Sequence, residues 1–486
     1  MYTVLMQTPF FPSWRAQLGA LRPTRQRLAA KPLPAIQKLF ASWIAPAALA
    51  QEDDGLNSRD RIFSIRLTFW AFLGQILNPA SSCREAVRQI QALFCLHGRG
   101  GLDEQTGAYC QARLRLPRER LQQILGQTAH AARRRCPKPR WAHGEVKVVD
   151  GSTLTMPDTH ANQKRYPQQK AQQPGCGFPI MKFVGLFSLA SGCLLTVATG
   201  NYYVAELRLF RDLWHYLKVG DLLLADRVFG DYATFAGLWV RGVDCVMRLH
   251  QGRKADFRHG DWLGRYDRLV TWQKPLQRTV TIGKRLWASL LPELTLRMIC
   301  VHVTAPGFRS RKLILITTLL DPEKYPAEEI ARLYLQRWQV ELFFRDIKTI
   351  LQMEHLRCKT PAMVEKELLM HLIGYNLIRC VMLEAARAED APLERISFKG
   401  SVDSVRQYCP AITQTRDPRK RRELIRELLR VLAADLVPER PGRREPRAVK
   451  RRHKPYPLLN RPRHQFREVL HRNRNWLARQ RMKSKA

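Results

Sequence analysis

The chain has 486 residues, enough to bury a large core spread over roughly two to four domains. Its 82 Lys+Arg against 42 Asp+Glu give a formal net charge of +40. That excess implies a polyanionic partner, nucleic acid first, because neutralising a phosphate backbone releases counterions. Eleven cysteines with no CxxC pair argue against a zinc ribbon or a disulfide framework and are read as reduced cytoplasmic thiols.

The opening MYTVLMQTPFFPSWRAQLGALRP breaks its short apolar portion with proline and charge, so it is not read as a targeting signal. Residues 1–145 are expected to form a helical N-terminal DNA-binding region. Within it, IFSIRLTFWAFLGQIL (Ile62 to Leu77) contains Arg66 and is too short to span a bilayer. It reads as a buried helix, and no membrane partner is expected. In SSCREAVRQIQALF, Ser81 or Ser82 can cap a further helix, and LPRERLQQILGQTAHAARRR continues the helical pattern with basic residues between apolar ones.

At Val146 the pattern turns to strands. EVKVVDGSTLTM ends its apolar run at Asp150, and GLFSLASGCLLTVATG sets two apolar runs around Ser191-Gly192, a hairpin-type turn. The helical segment VAELRLFRDLWHYL follows, then the strand DLLLAD ending at Asp226, the helix YATFAGLWVRG and the strand VDCVMRLH. Residues 146–250 therefore read as the first part of a mixed sheet covered by helices. Residues 251–325 read as a β-rich insertion, since RLVTWQ, RTVTIG, LRMICVHVTA and KLILITTLL are separated by charged and glycine- or proline-bearing turns. Residues 326–390 complete the core with one helix from Pro326 to Leu351 and a second from about Pro361 to Arg387. Residues 391–486 form a basic C-terminal region. From Arg440 onward 17 Lys/Arg face only Glu445 and Glu468, a composition that orders, if at all, on nucleic acid.

The chemistry gathers in YLQRWQVELFFRDIKTIL, where Tyr334, Arg337, Glu341 and Lys348 stand at separations of 3, 4 and 7. At about 100° per residue the four lie within about 60° of one another on a helix. Leu333, Val340, Phe343, Phe344, Ile347 and Leu351 fill the opposite side. Alone, that stripe is an ordinary solvated face and Asp150-Gly151 an ordinary turn. Three acidic donors from distant parts of the chain, Asp150, Asp226 and Glu341, need a reason to converge. Divalent metal is the commonest one, because clustered carboxylates repel unless a hard cation neutralises them. His160 and His143 are read as ordinary polar residues, since magnesium prefers oxygen.

With these residues the chain resembles the DDE transposases of bacterial insertion sequences, in the group whose signature is Y-x2-R-x3-E-x6-K. Tyr334, Arg337, Glu341 and Lys348 match it at every spacing, and DGST at Asp150 and ADRVFGDY at Asp226 follow the family's style and order. PDTHANQKRYP and GFPIMKFVGLFSLASG are similar to it as well, so the resemblance spans roughly residues 146–387. It implies a mixed α/β fold: a ribonuclease-H-like core with a β-rich insertion, Asp150 on the first strand, Asp226 at the end of the fourth and Glu341 on a helix alongside. It implies two Mg2+ or Mn2+ ions, bridged by Asp150 and each held by Asp226 or Glu341, for cleaving DNA at element ends and transferring the strands into target DNA. By the same resemblance Tyr334, Arg337 and Lys348 grip phosphates, while Arg227 meets the DNA backbone or pairs with Asp226. The implied partners are double-stranded DNA with terminal inverted repeats, target DNA, and a second copy in a homodimer, in the cytoplasm at the nucleoid. Some relatives hold a flipped base on an aromatic of the strand before the glutamate helix. KLILITTLL has none, which leaves Trp262, Trp272 or Trp287. A metal-dependent nuclease or resolvase, or a non-catalytic basic nucleic-acid-binding protein, are the alternatives.

Overall fold

The computed structural model describes residues 35–50, 61–78, 81–96, 98, 102–136, 145–303, 312–439 and 459–466. His143 and most of the basic run after Arg440 lie outside the described residues.

Among the described residues five α-helices precede the first strand: α1 (Ala35–Phe40), α2 (Ile65–Leu77), α3 (Cys83–Leu96), α4 (Gly107–Arg115) and α5 (Arg118–Arg135). The α2 helix starts where the Ser64 hydroxyl accepts the Leu67 amide, and it is buried on nearly every side, as its apolar composition demands. Ser82 caps α3 by accepting the Glu85 amide.

The strands are β1 (Val146–Thr155), β2 (Ile180–Ser188), β3 (Leu194–Asn201), β4 (Leu222–Ala225), β5 (Asp244–Arg248), β6 (Asp261–Gly264), β7 (Asp267–Gln273), β8 (Glu293–His302) and β9 (Lys312–Thr317). Between them lie α6 (His160–Arg165), α7 (Glu206–Asp212), α8 (Tyr232–Trp239) and α9 (Lys284–Ser289). Among the described residues nine strands join one sheet in the order β3-β2-β1-β4-β5-β9-β8-β7-β6. The β1–β4 and β4–β5 pairs are parallel and the rest antiparallel. The segment expected as an insertion thus does not interrupt the sheet but extends it, because β9 pairs along the free edge of β5. RTVTIG is not a strand. Of its residues only Ile282 is buried, and the Arg278 guanidinium donates to the Ile282 carbonyl, folding the segment into a turn ahead of α9. The edge strand β6 and α9 fall outside the expected set.

Helices cover both faces. On one, Val149, Leu223, Ala225, Cys245 and Met247 pack against Leu209 and Phe210 of α7 and against α8. On the other, Val146, Val148, Leu222, Leu224 and Val246 meet α10 (Ala327–Leu335), α11 (Gln339–Arg345) and α12 (Pro361–Ala388). The α12 helix is long and apolar enough to cross a membrane, and 94% of its apolar window is buried inside the protein. Its polar residues fasten the β2–β3 hairpin: the Asn376 amide bonds both backbone groups of Leu194, and the Tyr375 hydroxyl donates to the Gly192 carbonyl at 2.6 Å. Gly192 sits at φ 68°, and a Cβ there would meet the Arg379 guanidinium at 2.5 Å.

Part of the C-terminal region is not a solvated polyelectrolyte. Residues 398–434 form α13 (Phe398–Gln414) and α14 (Pro418–Ala434), whose Phe398, Val402, Ile412, Leu428 and Leu432 enter the same core as α12. Leucines at helical spacing outweigh the arginines between them, since each buried side chain gains about 1.5–3 kcal/mol.

The expected helix from Pro326 to Leu351 changes pitch twice. A 3-10 turn spans Gln336–Trp338, and a π turn spans Asp346–Ile350, closed by the Leu351 amide on the Asp346 carbonyl at 3.1 Å. The π turn carries a buried carboxyl, Asp346, pushed up to about 6 by burial despite Arg345 and Arg379 nearby. A carboxyl whose folded pKa is raised is favoured in its neutral form. Its contribution to stability is complete below about pH 4 and lost as pH rises through about 6. Asp346→Asn is therefore expected to unfold at higher temperature than the parent at pH 8, by on the order of 2–3 kcal/mol, and to match it near pH 4. Thermal unfolding across that range checks this, and curves separated equally at every pH would refute it.

Candidate active site

Sheet register brings the two aspartates together. Val148 pairs with Leu224 in the parallel β1–β4 ladder, so Asp150 and Asp226, two residues farther on, stand at the same level on adjacent strands. Alternation turns both toward the α10–α11 face, because Val148 and Leu224 belong to that core. Directly across from Asp150 on β2 is Gly185, which places no side chain beside the carboxylate.

The α11 helix is seated by aromatics: Phe344 meets Phe183 and Phe187 edge-on at 5.4 and 5.3 Å. That packing aims Glu341, 61% exposed, out over the strand ends. Arg337 lies between the acids, 3.7 Å from Asp150 Oδ2 and 3.5 Å from Glu341 Oε1, with its side chain 14% exposed. Burial works against its charge, but Tyr334, Asp150, Asp226 and Glu341 together raise its pKa. Asp150 is pushed up to about 6 by burial, with Asp226 and Glu206 pushing the same way and the Gly151 amide and Arg337 pulling it down.

Of the residues singled out from sequence, Asp150, Asp226, Arg337 and Glu341 thus share one place, but Glu341 reaches Asp150 only through the arginine. Among the described residues no three Asp, Glu, His or Cys side chains stand close enough to hold an ion. The donor set itself fits a divalent cation: the oxygens are hard, and burial penalises the Asp150 charge until a cation offsets it.

Tyr334 is placed differently from the expectation. It is 5% exposed and donates its hydroxyl to the Ala225 carbonyl at 3.3 Å, so it props the end of β4 rather than facing solvent. Burial raises its pKa to about 12, with Asp226 adding to this and Arg337 and Arg248 opposing it. Tyr334→Phe is expected to cost about 1 kcal/mol of stability and to lower turnover more than DNA affinity. A gel-shift constant rising tenfold with unchanged turnover would count against that assignment. Lys348, carried by the π turn, donates to Ser152 Oγ at 3.2 Å and lies 3.9 Å from Glu354. Arg227 opens a 3-10 turn after Asp226, and no ion pair joins the two among the described residues. His160 is exposed at the start of α6. Of the tryptophans, Trp272 is buried under Arg253 and Trp287 packs on the core under α7 and α8, while Trp262 is 70% exposed on β6.

Sequence reading passed over two neighbours. Glu206, at the start of α7, presses on Gly151 so closely that a Cβ there would meet its carboxyl carbon at 2.8 Å. Trp338, 45% exposed in the 3-10 turn after Arg337, offers a flat face to a base. The aromatic beside the signature arginine was the available signal for the second, whereas only the fold reveals the first.

The family model for the transposase DDE domain matches residues 141–377, a span that holds Asp150, Asp226 and the whole Tyr334-to-Lys348 signature. The transposase InsG of insertion sequence element IS4 from Escherichia coli (strain K12) is 27% identical over 409 residues, which cover 84% of this chain and 89% of that protein. The chain carries a transposase DDE domain and is similar over most of its length to an insertion-sequence transposase. A second Escherichia coli relative, the transposase of insertion sequence element IS421, is 35% identical over 65 residues, 13% of this chain and 18% of that one. The piggyBac transposase synaptic complex with hairpin DNA covers 82% of each chain at 10% identity, with a TM-score of 0.41 too low to carry an argument. The transposase is thus an enzyme of phosphodiester hydrolysis and transesterification, in a family that generally works on DNA with divalent metal ions.

Proposed function

We propose that Asp150, Asp226 and Glu341 are the metal-holding catalytic carboxylates of this transposase, on a ribonuclease-H-like core formed by β3-β2-β1-β4-β5 and the helices over it. The observation that carries the reading is the level pairing of Asp150 with Asp226 on adjacent parallel strands, with Arg337 linking Asp150 to Glu341. Two Mg2+ or Mn2+ ions held there would supply charge stabilisation for the attacking and leaving oxygens of the phosphodiester. Asp150, Asp226 and Glu341 would hold them, with Asp150 at the level of Asp226 and Glu341 across Arg337 from it.

The remaining steps belong to the chain's own groups. Arg337 leaves the carboxylates for the incoming phosphate, which its planar fork binds through two donors, while Lys348 adds a point charge held near Ser152. Arg227, without an acidic partner among the described residues, contacts the DNA backbone. Tyr334 fixes the level of Asp226 through the Ala225 carbonyl. The substrates are the terminal inverted repeats of the element and a target duplex, brought together by a homodimer in the bacterial nucleoid.

Incubating the purified chain with Mg2+, its element's ends and a target plasmid is expected to give nicked ends and joined products. Nicking with no joined product in any metal would favour a nuclease or resolvase, and binding without either would leave a DNA-binding protein.

A further inference from the structure

We propose that Cys83 is a peroxide-reactive thiol that closes a reversible disulfide onto Cys358, bridging the N-terminal helices to the segment that follows the signature helix. The bridge itself does not depend on which residues hold metal, whereas its effect on cleavage rests on the catalytic reading above.

Three thiols from distant parts of the chain gather around Arg113 of α4. Its guanidinium donates to Cys83 Sγ at 3.1 Å and to Cys358 Sγ at 3.3 Å, and it lies on the Phe72 ring of α2 at 3.9 Å. Cys110, on the same helix as Arg113, also interacts with Cys83. Arg113 is 7% exposed, and among the described residues its hydrogen-bond acceptors are those two sulfurs. A buried guanidinium ordinarily faces a carboxylate, because sulfur is a weak acceptor and leaves much of the charge uncompensated. Glu367 is close enough to favour that charge but turns its oxygens to the Arg357 and Cys358 amides.

Cys83 therefore has the surroundings of a reactive thiol. It is the first residue of α3, where the helix amides favour negative charge, and it receives a guanidinium hydrogen bond. It is half-buried on the wall of a cavity of about 290 Å3, which Cys358 lines as well, so a small oxidant admitted there meets both sulfurs. Burial pushes the Cys358 and Cys110 thiols up. That leaves Cys83 to attack and Cys358 to resolve.

The oxidant is a hydroperoxide. Cys83 sulfur attacks its terminal oxygen, the O–O bond breaks, and the thiol proton goes to the departing oxygen, giving a sulfenic acid and an alcohol, or water from hydrogen peroxide. Cys358 sulfur then displaces the hydroxyl, which leaves as water with the second thiol proton. Two sulfurs lose one electron each and the peroxide gains both; a dithiol reductant reverses the bond. The bridge joins α3 to a segment fastened to the π turn, where the Met353 and Glu354 amides bond the Ile347 and Lys348 carbonyls. Holding that segment holds Lys348, so oxidation slows a reaction in which Lys348 must meet DNA.

The test exposes the full-length reduced chain to hydrogen peroxide and maps disulfides by mass spectrometry of non-reduced digests. We expect a linkage between Cys83 and Cys358 in wild type and in Cys110→Ser, and none in Cys83→Ser. End cleavage should fall about tenfold in oxidised wild type, as a displaced phosphate ligand demands. It should return with dithiothreitol, and peroxide should leave Cys83→Ser cleaving as before. If Cys83→Ser fails to fold, Cys358→Ser replaces it: oxidation then stops at a sulfenic acid on Cys83, which dimedone labels. A linkage of Cys83 to Cys110 alone, oxidation at the exposed Cys95 with no bridge, or a bridge that leaves cleavage at its reduced rate overturns the proposal. Failure of the catalytic reading looks different: Asp150→Asn would then cleave like wild type when reduced, whether or not the bridge forms.

Discussion

Asp150→Asn is expected to lower both end cleavage and strand transfer by about a thousandfold or more while end-DNA binding holds or tightens. Asparagine keeps the shape of the side chain and its place opposite Gly185 but cannot neutralise a cation. Binding holds because the site's cations remain, and it tightens slightly because one negative charge beside the phosphate path is gone. Glu341→Gln should fall by a similar factor, since the chemistry needs both flanks of the phosphate. It should disturb folding less, because Glu341 is 61% exposed whereas Asp150 is enclosed beneath Arg337. Single-turnover cleavage with gel-shift affinities on the same preparations decides the matter. Either variant retaining a tenth of wild-type cleavage in Mg2+ and Mn2+ would remove that residue from the catalytic set.

The parts of this site legible from sequence are those that local pattern dictates. A strand that ends in aspartate announces itself through its apolar run, as VKVVD and LLLAD do, and the Tyr334-to-Lys348 spacing names a helix face. What pattern does not carry is the pairing of strands. Asp150 and Asp226 stand at one level only once β4 is set beside β1, and Glu206 looks like any first-turn acid until Gly151 is found against it. The burial of Tyr334 was missed because uniform helical phase was assumed, whereas the chain tightens at Gln336–Trp338 and loosens at Asp346–Ile350. The basic composition of residues 391–486 hid α14 for a related reason: Leu424, Leu428 and Leu432 recur every four residues inside PRKRRELIRELLRVLAA, and net charge says nothing about which face carries it.

Arg337 carries the second large effect, because it does two things that a single substitution separates. In the protein without DNA it lies between Asp150 and Glu341 and competes with any cation for them. With DNA, on the function proposed above, it binds the reacting phosphate. Arg337→Ala is therefore expected to reduce cleavage about a hundredfold while tightening divalent-metal binding to the DNA-free protein roughly three- to tenfold. The second figure follows from two part-exposed ion pairs of about 0.3–0.7 kcal/mol each. Manganese titration followed by electron paramagnetic resonance reads the metal affinity independently of turnover. Arg337→Lys should recover affinity for DNA better than rate, since a point charge lacks the fork that orients the phosphate. An alanine variant that loses activity with unchanged or weaker metal binding would confine Arg337 to the phosphate and refute its role as a competitor for the carboxylates. Metal and DNA would then load independently. Otherwise arrival of the phosphate itself frees the acids, and the transposase assembles its metal site only on the strand it is about to cut.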